Sequence, residues 1–185
     1  MSSISQVLHD KFMRVLYDEG NYTFAKTMEY IHSKVHEGEM LYTTKVFLAV
    51  PNNGFVYIRH ISGSTKYLHS EVKIDTIGQW EFTSFSGTTY SADGTIMPIL
   101  NRKSNSIYVP EVVFRYTPTI NVLGARRLNL VFGGGTNPSR TISGTFSERI
   151  ESVFAPNTDV LVRLQNQSGG TQYATFIYNF YEEQE

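Results

Sequence analysis

The chain has 185 residues, of which 41% are hydrophobic, enough for one folded domain with a core and too apolar for a disordered chain. Charged residues make up only 18% and the formal net charge is -1, which argues against a general surface for nucleic acid or anionic membranes. The sequence contains no cysteine, and this excludes disulfide frameworks, thiol nucleophiles and cysteine zinc sites.

The first 20 residues carry the pattern of an amphipathic helix. Their apolar residues recur at spacings of three and four, as on one helix face, and Gly20 stands where such a helix would end. A second helical stretch, over residues 22–31, has a weaker pattern. We therefore predict that residues 1–30 form an N-terminal α-helical arm. The apolar face of this arm is a candidate surface for contact with another protein and comprises Val7, Leu8, Phe12, Val15 and Leu16.

From about Val35 onward, apolar residues recur with a period of two, which is typical of strands. Roughly nine or ten short strands follow, each bounded by turn-forming residues such as the Pro-Asn-Asn-Gly stretch at 51–54. No helical crossover separates them. We predict that residues 31–185 form an antiparallel β-sandwich of jelly-roll type, so that the chain is all-β apart from its helical arm.

The last predicted strand has two apolar faces. Ala174, Phe176, Tyr178 and Phe180 alternate on a wholly apolar face that must belong to the core. The opposite face, which includes Tyr173 and Tyr181, is half apolar. Two interpretations of this second face stay open at this point. Either another subunit or the N-terminal arm covers it, in which case Tyr173 and Tyr181 are interface residues, or the strand is buried on both faces within its own sandwich.

A run of three glycines, in VFGGGTNPSRTISG at residues 131–144, raises the possibility of a phosphate-binding loop. Such a loop requires a lysine and a Ser or Thr directly after its last glycine. Here Thr136, Asn137 and Pro138 follow instead. We interpret the glycines as part of a long loop between two strands, where they supply backbone angles that other residues avoid.

Other catalytic patterns are equally weak. His32 and His36 have the spacing of two metal ligands on one helix face, but no third ligand is indicated. The chain has no H-x-H motif of the cupin type and no G-x-S-x-G motif. Pairs of acidic residues, such as Glu148 with Glu151, are expected by chance among 17 acidic residues. We predict a non-enzyme without catalytic residues, metal or cofactor.

A local group of arginines is the remaining charged feature. Arg126, Arg127 and Arg140 are a candidate patch, which in a chain of net charge -1 we interpret as part of a protein interface rather than a nucleic-acid site. The first residues lack the basic start and apolar run of a signal peptide. No stretch reaches the roughly 18 apolar residues of a membrane helix. We expect no nucleic-acid partner and no membrane partner.

With the strands placed, the order of short motifs resembles the jelly-roll head decoration, or cement, proteins of tailed bacteriophages. Corresponding motifs are KVHEGEM at 34–40, SGSTKYLHSEVKI at 62–74, SGTTYSADGTIMPILNRKSNS at 86–106, TPTINVLGARRL at 117–128, APNTDVLVRLQNQSGG at 155–170 and IYNFYEE at 177–183. The last motif departs from the family because Phe180 stands where a tryptophan is usual. The resemblance covers about residues 34–183, and residues 1–30 have no counterpart in it.

The resemblance implies a structural virion protein rather than an enzyme. Members of the family form homotrimers, sometimes dimers, on the outside of the capsid, where they bridge capsomers of the major capsid protein. The implied location is the exterior of the virion, after synthesis in the host cytoplasm. Two alternatives stay open on the sequence. One is a fibre- or tail-associated module that recognises a host glycan through exposed Tyr, Trp80 and Asn side chains. The other is a head–tail joining protein.

Overall fold

The computed structural model describes residues 13–16, 26–132 and 150–184, with side chains described over 32–132 and 152–184. The chain divides into two compact units. The first comprises residues 1–40 and 101–108, and the second comprises residues 41–100 and 109–185.

The first unit contains a short hairpin-like pair of strands and one helix. β1 (Met13–Leu16) pairs antiparallel with β2 (Lys26–Glu29), and α1 (Tyr30–Glu37) follows directly. The helix ends at Glu37 and is followed by Gly38, whose φ of 78° suits glycine. The amide of Glu39 bonds back to the carbonyl of Lys34 at 2.9 Å, which is the helix-closing bond expected after a left-handed residue.

The predicted helix over the first 20 residues is wrong where the structure describes this region. Met13–Leu16 form strand β1 instead, because they pair in register with Lys26–Glu29. The weaker helical stretch at 22–31 is likewise a strand over Lys26–Glu29, and helix begins only at Tyr30. The rest of the predicted helix, including Val7, Leu8 and Phe12, lies outside the described residues. Tertiary strand pairing overrides helical spacing in such a short segment.

The second unit is a β-sandwich, as the alternating sequence pattern predicts. Its first sheet has the antiparallel order β12-β6-β14-β4-β10-β8 and its second the order β13-β5-β15-β3-β9. A third, two-stranded sheet pairs β11 with β7. The strands are β3 (Leu41–Val50), β4 (Phe55–Ile61), β5 (Tyr67–Thr76), β6 (Trp80–Ser86), β7 (Thr89–Ala92), β8 (Thr95–Ile96), β9 (Leu100–Asn101), β10 (Val113–Tyr116), β11 (Thr119–Val122), β12 (Ala125–Phe132), β13 (Ile150–Phe154), β14 (Asp159–Asn166) and β15 (Gln172–Glu183).

Large aromatic residues fill the space between the two sheets. The predicted core face of β15 is confirmed, since its four residues are at most 1% exposed; they are Ala174, Phe176, Tyr178 and Phe180. Phe114 of β10 lies 4.8 Å from Tyr178 and 5.0 Å from Phe180, measured between ring centroids. These offset, tilted ring pairs combine large apolar burial with favourable ring geometry. They hold the two sheets together.

Buried polar side chains fix the loops at the ends of the sandwich. Asn166 donates to the carbonyls of Val50 at 2.8 Å and Gly170 at 2.7 Å, so it ties the end of β3 and the loop after β14 to the end of β14. The Glu182 carboxylate, 4% exposed, accepts the amide hydrogens of Glu111 and Val112. Hydrogen bonds of this kind satisfy backbone groups that burial would otherwise leave unpaired.

Candidate functional site

The outer face of the second sheet carries several apolar side chains, of which three are exposed and one, Ile177, is half-buried. We name Val46, Leu48, Tyr173 and Ile177 the β3–β15 patch. Val46 is 48% exposed, Leu48 78% and Tyr173 38%. They lie on two paired strands, where Val46 stands opposite Thr175 and Ile177 stands opposite Thr44.

Alternation along the two strands decides which way the patch points. The residues between its members, Phe47 on β3 and Ala174 on β15, are buried in the core. Successive side chains of a strand point to opposite faces, so the patch faces away from the core. Single exposed apolar residues are ordinary on protein surfaces, whereas several on one sheet face make that face a candidate interaction surface.

Strand β3 also offers backbone groups beside the patch. Within the described part of the chain, its outer neighbour is β9, a strand of two residues, whereas β3 itself has ten. Most of this edge therefore has no strand partner in the described residues. An edge strand with exposed Val46 and Leu48 is a template for pairing with another chain.

On the outer face of the first sheet, charged and aromatic groups form a tight network around Arg59. Its guanidinium bonds to Asp159 at 2.8 Å and Asp93 at 2.7 Å and lies 3.9 Å from the Tyr90 ring centroid. Burial alone would lower the pKa of Arg59, but its hydrogen bonds to Asp159 and Asp93 raise it. Burial, together with the charge of Asp159, raises the pKa of Tyr90 to about 12. These groups satisfy one another, so the network is structural.

Further along the same face, an aromatic and polar surface surrounds Arg163. Phe55, 47% exposed, lies 6.3 Å from Tyr57 between ring centroids. The Arg163 guanidinium lies 5.2 Å from the Phe55 ring centroid and 3.6 Å from a Glu81 carboxylate oxygen. Gln167 donates to the other Glu81 oxygen at 2.8 Å. An exposed aromatic ring beside planar polar groups can stack on and hydrogen-bond to a sugar ring, and it can also contact another protein.

Of the interface residues expected from the sequence, the structure describes the side chains of Arg126, Arg127, Tyr173 and Tyr181. Tyr173 belongs to the β3–β15 patch. Arg126 and Arg127 are exposed on β12, an edge strand of the other sheet, and Arg127 lies 5.4 Å from the ring centroid of Phe154. Arg140 and the glycine run at 133–135 lie outside the described residues. Val15 and Leu16 lie on β1, in the first unit.

Tyr181 does not belong to an exposed surface. It is 6% exposed and stacks on His69, with ring centroids 4.5 Å apart and planes at 11°. Asn179 on the same face is 3% exposed. At the C-terminal end of β15 both faces are therefore buried, whereas the second face is exposed at Tyr173. The expectation that Trp80 is exposed for glycan recognition is wrong, because Trp80 is 0% exposed and donates to the Ile77 carbonyl at 3.0 Å.

Val46 and Leu48 were not among the interface residues expected from the sequence. The signal was present in KVFLAV, where apolar residues occupy both faces of one predicted strand. That pattern is the same for a strand buried on both faces and for one exposing an apolar face. Alternation alone does not separate the two.

His32 and His36 lie on one face of α1, as their spacing predicts. Their Nε2 atoms are 2.8 Å apart and the rings are stacked at 4.8 Å. Among the described residues, no group of three or more His, Asp or Glu side chains is arranged to hold a metal ion. The described helix is too short to cross a membrane.

Comparisons with known proteins give no relative for this chain. No family model, no curated protein and no solved structure matches it.

Proposed function

We propose that this chain is a structural virion protein of a tailed bacteriophage that binds the outside of the capsid and stabilises it by bridging capsomers. In this proposal it acts as a homotrimer, and the β3–β15 patch with the neighbouring β3 edge forms the protein–protein contact. Its partners are the major capsid protein and further copies of itself.

The observation that carries the proposal is the exposed apolar patch on a sheet face. Leu48 and Val46 stand on an edge strand, beside backbone groups that a second protein can pair with. Such a surface fits a large, flat partner better than a small substrate. The ordered motifs that resemble decoration proteins support the same conclusion, and the β-sandwich of the second unit agrees with the fold implied by that resemblance.

The test is binding to undecorated capsids of the parent phage. Purified protein is mixed with empty shells, and bound protein is measured by co-sedimentation and located by imaging. We expect ordered density on the capsid exterior and a solution mass three times the 21.0 kDa of one chain. No density and no co-sedimentation would overturn the proposal, and a ring of six or more copies would favour a head–tail joining protein.

A matched pair of variants tests the patch itself. Leu48→Asp places a charge in the proposed contact, where burial without a partner is costly. Val122→Asp is the control, because Val122 is 62% exposed but lies on β11, in a separate sheet. We expect Leu48→Asp to lose trimerisation or shell binding by tenfold or more, roughly 1.4 kcal/mol, and Val122→Asp to retain both.

A second candidate function is recognition of a host glycan by the surface around Arg163. The exposed Phe55 ring and the amide of Gln167 favour it, since sugars stack on rings and bond to planar polar groups. Glycan-array binding that Phe55→Ala abolishes, together with failure to bind shells, would replace the decoration proposal with this one.

A further inference from the structure

Helix α1 carries two histidines whose ring nitrogens point towards each other. His32 and His36 are four residues apart, and this spacing places them on one face of the helix. Both side chains are exposed. Their Nε2 atoms lie 2.8 Å apart, whereas the ring centroids lie 4.8 Å apart, so each Nε2 stands on the side of its ring that faces the other histidine. The two rings together offer a pair of nitrogen donors that solvent can reach.

The residues beside the pair make hydrogen bonds that leave both imidazole rings available. Ser33 donates to the Glu37 carboxylate at 2.9 Å. Lys103 donates to the carbonyl oxygen of His36 at 2.9 Å, a bond that engages the backbone of His36 and not its ring. Over the part of the chain that the structure describes, no third acidic or histidine side chain joins the pair in a larger ligand group. Water would therefore complete the coordination of an ion held there.

The distance between the two nitrogens indicates which type of metal ion fits. A bond between a metal ion and an imidazole nitrogen is about 2.0–2.1 Å long. With both nitrogens at that distance from one ion and 2.8 Å from each other, the angle between the two bonds is about 84–89°. Neighbouring ligands in the square arrangement typical of Cu²⁺ and Ni²⁺ are about 90° apart, whereas tetrahedral Zn²⁺ requires about 109°. The pair therefore fits a square-planar or tetragonal ion better than zinc.

We propose that His32 and His36 form a surface site for a divalent transition-metal ion, with Cu²⁺ bound most tightly. Imidazole is a suitable ligand for this ion, and Cu²⁺ heads the affinity order of the divalent first-row metals. In the free pair one Nε2–H donates to the other Nε2. When the ion binds, that hydrogen moves to Nδ1 of its own ring, so that both Nε2 lone pairs face the metal and no proton is released.

The bound ion joins two positions one turn apart and so stabilises α1, a helix of eight residues that is too short to be stable in isolation. The stabilisation grows with the concentration of free ion, because the ion binds the helical form and not the unfolded one. The site shares no residue with the β3–β15 patch and does not depend on the proposed capsid contact.

The test is titration of the full chain with Cu²⁺ at about pH 7.5, above the ordinary histidine pKa of about 6.5. Calorimetry measures the affinity, and electron paramagnetic resonance counts the nitrogen ligands. We expect one Cu²⁺ per chain with two nitrogen ligands, bound about tenfold or more tightly than Zn²⁺. Mg²⁺, which prefers oxygen ligands, should not bind. A spectrum with a single nitrogen ligand, or equal affinity for Cu²⁺ and Zn²⁺, would overturn the assignment.

Variants show whether the two rings act together. His32→Gln and His36→Gln each remove one ring, and we expect either change to weaken Cu²⁺ binding about tenfold or more, because the second ligand binds intramolecularly. The double variant His36→Gln with Glu37→His keeps the number of histidines but turns the second ring about 140° away around the helix axis. It should bind as weakly as the single variants. His69→Gln, on β5, is the control and should keep the full affinity. If the double variant binds as tightly as the wild type, the copper is held by single exposed histidines and the proposed site is wrong.

Discussion

His60 is a buried ionisable residue surrounded by aromatic rings. Its ring centroid lies 4.6 Å from that of Phe154, 5.7 Å from Tyr178 and 5.8 Å from Phe114. Such surroundings provide no hydration for an imidazolium, and the exposed Arg127 adds a positive charge nearby. The folded protein therefore resists protonation of this ring, whereas the unfolded chain does not.

This difference predicts how stability depends on pH. The pKa of His60 is about 3 in the folded chain and ordinarily 6.5. Its contribution is fully present above pH 6.5 and is lost as the pH falls towards 3, because only the unfolded chain takes up the proton in that window. Between pH 7 and pH 5 the wild type should lose about 2 kcal/mol more than His60→Phe.

Urea unfolding of the two proteins at both pH values measures this loss, and the comparison cancels the carboxylates that titrate in each. Phenylalanine matches the ring size among the neighbouring aromatic groups, so the variant is expected to fold. Parallel stability curves for the wild type and His60→Phe would show that His60 is protonated in the folded state as readily as in the unfolded chain.

For single strands, the alternation of apolar residues predicts where a strand lies and which of its faces is buried. It does not predict which strands pair with one another. It predicts β15 and its core face correctly, because four apolar residues alternate over a long strand with two neighbouring strands. It fails at Met13–Leu16, where apolar spacing fits a helix but pairing with Lys26–Glu29 decides the conformation. It also fails to separate Tyr173 from Tyr181. Both lie at odd-numbered positions of β15, but Tyr181 is buried and stacks on His69, whereas Tyr173 is exposed.

The start of β12 depends on a close backbone approach at Gly124. This glycine precedes Ala125, which pairs with Ser86 of β6. A Cβ atom at position 124 would overlap the carbonyl oxygen of Ser86 and would lie 2.6 Å from backbone atoms of Gly87 and Thr88. Backbone atoms have little freedom to move away, so β6 and β12 would have to separate at this end.

Gly124→Ala is therefore expected to destabilise the protein by about 1–3 kcal/mol, as overpacking does elsewhere. Gly170→Ala is the matched control, because no atom lies within 4 Å of the added carbon there. That variant should be neutral or slightly stabilising, since it restricts only the unfolded chain. Thermal unfolding midpoints of the two variants provide the measurement. Equal midpoints would show that β12 begins without this close contact.

For the whole molecule, the fold alone does not identify the function, since β-sandwiches have many unrelated functions. The two proposed functions, capsid binding and glycan recognition, assign the binding contact to different surfaces. The β3–β15 patch is apolar and adjoins an open strand edge, whereas the surface around Arg163 is aromatic and polar. The sequence contains the residues of both surfaces. It did not predict either grouping, because strand order brings distant segments together.

A clamp that binds assembled shells and not free subunits must raise the thermal stability of the shell by mass action. We expect the rupture temperature of empty capsids, followed by calorimetry, to rise steadily with the logarithm of added protein once its concentration exceeds the dissociation constant. A trimer that engages several capsomers gains roughly 10²–10⁴ in apparent affinity over one subunit. If the Leu48→Asp variant is monomeric, it loses this gain, and a higher protein concentration is needed for the same rise in rupture temperature. If the rupture temperature stays constant at saturating protein, the protein binds the shell without stabilising it, and the proposed stabilising function is wrong.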